Sequence, residues 1–145
     1  MVWIVGVLIG LVTAASASQG VIEARFDHLR ADVAARRPYS KLHKYFSKRF
    51  VDERSSIFDY EFLDAVVGFD LNGLMRVETV QGNKGCLAFA RPYPAFAEGD
   101  WIELDELSFE RIRGVWVITA ASHSISPVHN RVASKYLCNT LGWPR

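Results

Sequence analysis

The chain has 145 residues, half of them apolar and 12% aromatic, with a formal net charge of +1. That length holds one domain around one core, and that composition excludes a disordered chain. A near-neutral total supplies no global field toward nucleic acid, which is excluded as a partner class on that ground.

The first charged side chain is Glu23, and ahead of it the chain is apolar without break from Val2 to Val12. A run of that length suits the apolar region of a signal peptide and is too short to span a bilayer alone. Ala15-Ser16-Ala17 then supplies the small-x-small pattern of a cleavage site. The expected division is a signal peptide over residues 1–17 and a single α+β domain over 18–145, secreted or periplasmic after cleavage near Ala17. The alternative is an uncleaved anchor, because no Lys or Arg precedes the run and Gly6 and Gly10 form a GxxxG pair. Only that alternative makes a membrane a partner. In an oxidising compartment Cys86 and Cys138 would pair as a disulfide. Closing a loop of roughly fifty residues would then stabilise the fold by about 4 kcal/mol. Without export the two are separately buried thiols. No CxxC spacing supports a redox or zinc role.

Ile22, Phe26, Leu29 and Val33 fall at helical spacing, and Pro38 ends that helix. Ser40 can cap a second helix over KLHKYFSKRF, whose Leu42, Tyr45, Phe46 and Phe50 share a face. A third is expected from Ser55-Ser56 through Phe58, Phe62, Leu63 and Val66 to Gly68. The period then changes to two. LMRVETVQ and CLAFAR flank a turn over Gln81 to Gly85, and WIELDELSFERI and VWVITAAS flank Arg113-Gly114. In the last strand Trp116, Ile118 and Ala120 should face one way, with Val115, Val117 and Thr119 on the other. With both faces mostly apolar, that strand is expected to be central. Ser126-Pro127 reads as the start of a short C-terminal helix. The predicted architecture is α+β: three N-terminal helices packed on a curved four-stranded antiparallel sheet, then that short helix.

Two histidines stand among three serines in ASHSISPVHN, Ala121 to Asn130. A serine hydrolase needs a histidine within reach of the serine and a carboxylate behind it. No GxSxG elbow is present, and in a continuing strand Ser122 and His123 point to opposite faces. His123 and His129 are not spaced as a helical metal pair, and zinc wants three or four ligands. The segment therefore reads as a strand end and connector, with no catalytic residue, metal or cofactor assigned. Asp70-Leu71-Asn72-Gly73 lacks the ligand alternation of a calcium loop and reads as a turn. Glu103, Asp105 and Glu106 read as the solvated face of a strand rather than as acid–base groups.

Charge is segregated. Arg36, Arg37, Lys41, Lys44, Lys48 and Arg49 fall within fourteen positions free of acids, and acids dominate from Phe50 to Val80. The basic run reads either as a solvated helix face or as a patch for another protein or an anionic envelope component.

The hairpin ELSFERIRGVWVI, with upstream helices bearing aromatic stripes such as KYFSKRF, resembles the closing strands of NTF2-like (cystatin-like cone) domains. The resemblance implies a sheet wrapped about a long helix, and enzymes of that superfold use Asp/His pairs inside the cone. No such pair can be matched to positions here. Small secreted bacterial proteins share the same layout of helices followed by strands. The function expected is a non-enzymatic, exported binding domain, inhibitor- or immunity-like, in the periplasm or cell envelope. The alternative is a small NTF2-like hydrolase, isomerase or lyase with a pocket between sheet and helices. A cleft with convergent His, Asp or Glu side chains decides between them.

Overall fold

A computed structural model of the chain describes residues 20–72, 74–92 and 101–127. The expected leader, the C-terminal helix, His129 and Cys138 lie outside the described residues. Within them the order is α1 (Val21–Ala34), α2 (Tyr39–Leu42), a 3-10 turn (His43–Tyr45), α3 (Lys48–Glu53) and α4 (Tyr60–Val67), then strands β1 (Met75–Gln81), β2 (Lys84–Pro92), β3 (Trp101–Ile112) and β4 (Val115–Pro127). The strands form one antiparallel sheet in sequence order. No helix among the described residues is long and apolar enough to cross a membrane.

α1 forms on the predicted stripe: Ile22, Phe26, Leu29 and Val33 are its buried residues. Its N-cap, Gly20, offers no side chain, so the orphan amides are met from the sheet. Glu78 of β1 accepts from the backbone N–H of Glu23 at 3.0 Å and of Ile22 at 3.5 Å. The carboxylate also complements the positive end of the helix. Arg76, two residues back on β1, bonds Glu23 and lies 3.9 Å from Asp27. At the other end Arg36 takes a left-handed φ of 51° to stop the helix. Asp64, at 2.8 Å, and the ring of Tyr60 hold its guanidinium.

The second predicted helix is broken into three pieces. Leu42, Tyr45, Phe46 and Phe50 are all buried as expected, but they do not share one rod. Phe46 is extended and bridges Ile118 in parallel, and the Ser47 N–H donates to the Ile118 carbonyl at 2.9 Å. The free edge of β4 thus offers a backbone partner that outcompetes continued helix. Ser47 then caps α3 by accepting from Phe50 N–H at 3.1 Å. The third helix starts later than expected, at Tyr60, and its cap is Asp59, which accepts from Phe62 N–H at 2.9 Å. The hydroxyls of Ser55 and Ser56 lie in the turn before it. Among the described residues four α-helices, three of them short, therefore stand where three were predicted.

Both hairpins use the turns their residues allow. Gly82-Asn83 joins β1 to β2 with Gly82 at φ 62°, and Arg113-Gly114 joins β3 to β4 with φ of 50° and 81°. β4 is an edge strand, not the central one expected. A register shift between Ser108 and Phe109 leaves Ala120 opposite Ser108 but Ile118 opposite Phe109, so Thr119 is the extra residue of a bulge. Ala121, not Ala120, consequently continues the face of Trp116 and Ile118. The main core lies between that face and the helices, from Ile22, Phe26 and Leu29 to Leu87, Phe89, Leu107, Phe109 and Ile118. Gly85 permits the closest approach: a Cβ there would meet Ile22 Cδ1 at 2.0 Å.

Candidate functional site

The helix-facing side of the sheet changes character along the strands. Residues opposite one another across antiparallel strands share a face. Gly85, Phe109 and Ile118 form one such row, and Leu87, Leu107 and Ala121 the next. Beyond them Phe89 stands opposite Asp105 and Asp105 opposite His123; Arg91, Glu103 and Ile125 follow. Apolar rows thus give way to charged ones along the strands.

The bulge aligns Asp105 with His123. The imidazole Nδ1 lies 2.8 Å from Asp105 Oδ1, and Nε2 lies 3.8 Å from Glu103 Oε1. Asp105 and Glu103 are 17% and 13% exposed, whereas His123 is 53% exposed and reaches solvent. Arg91 donates Nε to Glu103 Oε2. That bond holds the Glu103 carboxyl below its ordinary value against the opposing effect of burial. The same bond raises Arg91. Glu103 is therefore a neutralised anion beside the imidazole, and Asp105 is the carboxylate that orients it.

A cleft of about 210 Å³ opens beside the pair. Asp105, Glu106 and Leu107 of β3 and Ala121, Ser122 and His123 of β4 line its sheet side; Phe62, Ala65 and Val66 of α4 and Arg54, just past α3, line the other. The Arg54 guanidinium stacks 4.0 Å over the Phe50 ring. Its Nη1 lies 3.5 Å from the Phe50 carbonyl and 3.7 Å from Glu53 Oε2.

One residue along each strand the chemistry differs. Glu106, 1% exposed, accepts from Ser122 Oγ at 3.2 Å. Cys86, Ala88, Ala90 and Leu104 are buried together in a second cluster, and Ser124 stands opposite Leu104. Three expectations change. ASHSIS is not a connector: β4 runs through it to Pro127, which excludes a helix start at Ser126-Pro127. Glu103, Asp105 and Glu106 are not a solvated strand face. An Asp/His pair, which could not be matched in the sequence, is present, since Asp105 comes from the neighbouring strand. Ser122 and His123 bond different partners on β3, Glu106 and Asp105, and among the described residues no serine bonds the imidazole.

One imidazole and two carboxylates are also a donor set for a first-row divalent ion. The ligand atoms of Glu103, Asp105 and His123 lie within 4.8 Å of one another. Arg91 already supplies the positive charge that an ion would bring to Glu103, and Asp105 already engages Nδ1. The donor set fits proton transfer with less rearrangement than metal binding. Elsewhere, Asp70 accepts from Asn72 N–H at 2.9 Å, the turn that was expected there.

The basic run is largely matched with acids. Arg36 pairs with Asp64, Lys44 with Asp32 at 3.3 Å, Lys48 with Asp52 and Arg49 with Glu53 at 2.6 Å. Arg37 and Lys41 are exposed and make no ion pair among the described residues. Asp32 also accepts from Tyr45 Oη at 2.7 Å, which holds its carboxyl below the ordinary value. Cys86 is buried on β2.

No family model, curated protein or solved structure matches the chain.

Proposed function

We propose that the protein is a small enzyme of the general acid–base type, an isomerase, lyase or hydrolase, working on a small molecule held between the sheet and α4. The observation that carries this reading is the 2.8 Å contact of His123 Nδ1 with Asp105 at the wall of a cleft. A carboxylate on Nδ1 orients the ring and stabilises the imidazolium that proton abstraction creates. A serine nucleophile is disfavoured, because Ser122 at the cleft donates to Glu106 rather than to His123, so His123 would act on substrate or on water directly. The bridge between Phe46 and Ile118 supports the NTF2-like resemblance, since it adds a strand-like contact between the helices. The run Val2–Val12 and Ala15-Ser16-Ala17 support an exported setting. The binding-domain reading weakens, because the acids beside Arg36, Lys44, Lys48 and Arg49 reduce the field of the basic run.

The test is turnover of a panel of small activated esters, epoxides and enolisable ketones by wild type, His123→Ala and Asp105→Asn. General acid–base catalysis contributes about 10²–10⁴-fold, so His123→Ala should lower any turnover by at least 10²-fold with the fold intact by circular dichroism. Turnover that survives His123→Ala would sink the proposal. So would a stoichiometric Zn²⁺ site abolished by the same change, which would make the cluster a metal centre.

A further inference from the structure

The proposed reading leaves open what the cleft holds, and Arg54 narrows it. Arg54 is the cation on the wall facing Asp105 and His123, and its side chain is 29% exposed. Among the described residues its two polar contacts, to the Phe50 carbonyl and to Glu53, both engage Nη1. A guanidinium has five N–H donors in a planar fork, so Nη2 and Nε remain for a ligand. Glu53 is a shared partner, since its other oxygen bonds Arg49 at 2.6 Å. Stacking on Phe50 fixes the plane of the fork before any ligand arrives.

Phe62, Ala65, Val66, Leu107 and Ala121 make up the apolar part of the lining, and Glu106 and Ser122 complete it. A volume of about 210 Å³ is room for about seven waters at ~30 Å³ each and is below the roughly 300–1,000 Å³ of sites for drug-sized ligands. The ligand is therefore small, with an apolar body and one anionic end.

We infer that the cleft takes a small organic monocarboxylate, whose carboxylate is paired by Arg54 and whose apolar chain lies along α4 with its reactive carbon toward His123. This rests on the cleft being the site. A planar carboxylate matches the fork in two-point fashion. A phosphate ester fits less well, because its charge of roughly −1.5 to −2 would sit in one small cleft with the acidic side chains of Asp105 and Glu106, where a single carboxylate brings less repulsion. Arg54 is the specificity residue of the arrangement; it touches ligand without taking part in proton transfer.

Hexanoate and its neutral counterpart hexanamide are the probes, added to ¹⁵N-labelled full-length protein and followed by amide chemical shifts. Hexanoate should shift Phe62, Val66, Ala121 and His123 together, with hexanamide about 10-fold weaker or worse. Arg54→Met should weaken hexanoate by the same ~10-fold and leave hexanamide unchanged, and Arg54→Lys should restore part of the difference. Folding of each variant is read from the same spectra. Equal affinities of the two probes, or hexanoate binding indifferent to Arg54→Met, would overturn the carboxylate inference while the cleft itself still binds. If neither probe shifts the cleft residues, the cleft as a ligand site is lost, and the function proposed above falls with it.

Discussion

Two stretches of the same sheet face, a few residues apart on the same strands, are built on opposite principles. At one end Leu87 and Phe89 are buried in one core with residues of α1 and α4. At the other Asp105 and His123 line a cleft against α4, and Arg91 and Glu103 form the next row beyond them. Phe89 marks the border, because it stands opposite Asp105 in the ladder while its ring belongs to the core. A strand that alternates faces cannot choose polarity by position alone. What differs between the rows is whether they meet the packed core or the cleft. Stability and chemistry are therefore separable along a single strand, and substitutions either side of the border should separate them.

The largest effect is expected at the sealed end. Phe89 is fully buried, with its ring centroid 4.9 Å from that of Phe26 and 5.2 Å from that of Phe69. Truncation to Ala should cost about 3–5 kcal/mol, the transfer energy plus the cavity left under a rigid sheet. His123→Ala, two strands away in the same row, should cost no more than about 1 kcal/mol, because the ring is half in solvent and its pairing is screened. Urea unfolding of the two variants checks the contrast. Comparable losses would mean that the charged end is part of the core and that the separation is false.

How much of this was legible in the sequence follows from the same contrast. The apolar stripes of α1 and the alternation of all four strands could be read, because burial leaves a period in the residues that undergo it. Arg113-Gly114 and Gly82-Asn83 could be read as turns, because left-handed backbone selects glycine. The pairing of Asp105 with His123 could not be read from the turn alone. Counting back from Ile112 and Val115 in an unbulged hairpin places Ser122, not His123, opposite Asp105. The extra residue at Thr119 moves the partner by one, and an Ala-rich stretch carries no mark of where a bulge falls. The breaks in the second helix were hidden for a related reason. Phe46 and Phe50 suit a helical stripe equally well whether or not Phe46 leaves the helix to meet the edge of β4.

A middle-sized effect is expected at the rim, and it should depend on pH. Arg91 lowers Glu103 from its ordinary value of 4.5. A carboxyl whose folded value lies below its unfolded one adds stability at pH above the unfolded value. That stability is lost as pH falls through the folded value. Arg91→Ala should therefore cost on the order of 1 kcal/mol near pH 7, discounted because Arg91 is itself substantially exposed. The gap from wild type should shrink as pH falls below 4.5 toward the folded value. Urea midpoints of both proteins between pH 7 and pH 3 would show it. A gap independent of pH would mean that Arg91 acts by packing, and the rim would then resemble the sealed end.

The smallest effect belongs to the basic run, and its smallness is the informative part. Lys48 and Asp52, and Arg49 and Glu53, are i,i+4 pairs whose basic members are 88% and 85% exposed on a helix of six residues. Water competes with such pairs, and each contributes about 0.3–0.5 kcal/mol at low salt. The double change Lys48→Ala, Arg49→Ala should thus lower stability by less than about 1 kcal/mol, with most of the difference gone in 1 M salt, where the screening length is about 3 Å. Hexanoate affinity should be unchanged, because neither residue lines the cleft. A large loss of affinity would show that α3 holds Arg54 in place through this surface network, linking through Glu53 the basic run and the charged end of the sheet that the structure otherwise keeps apart.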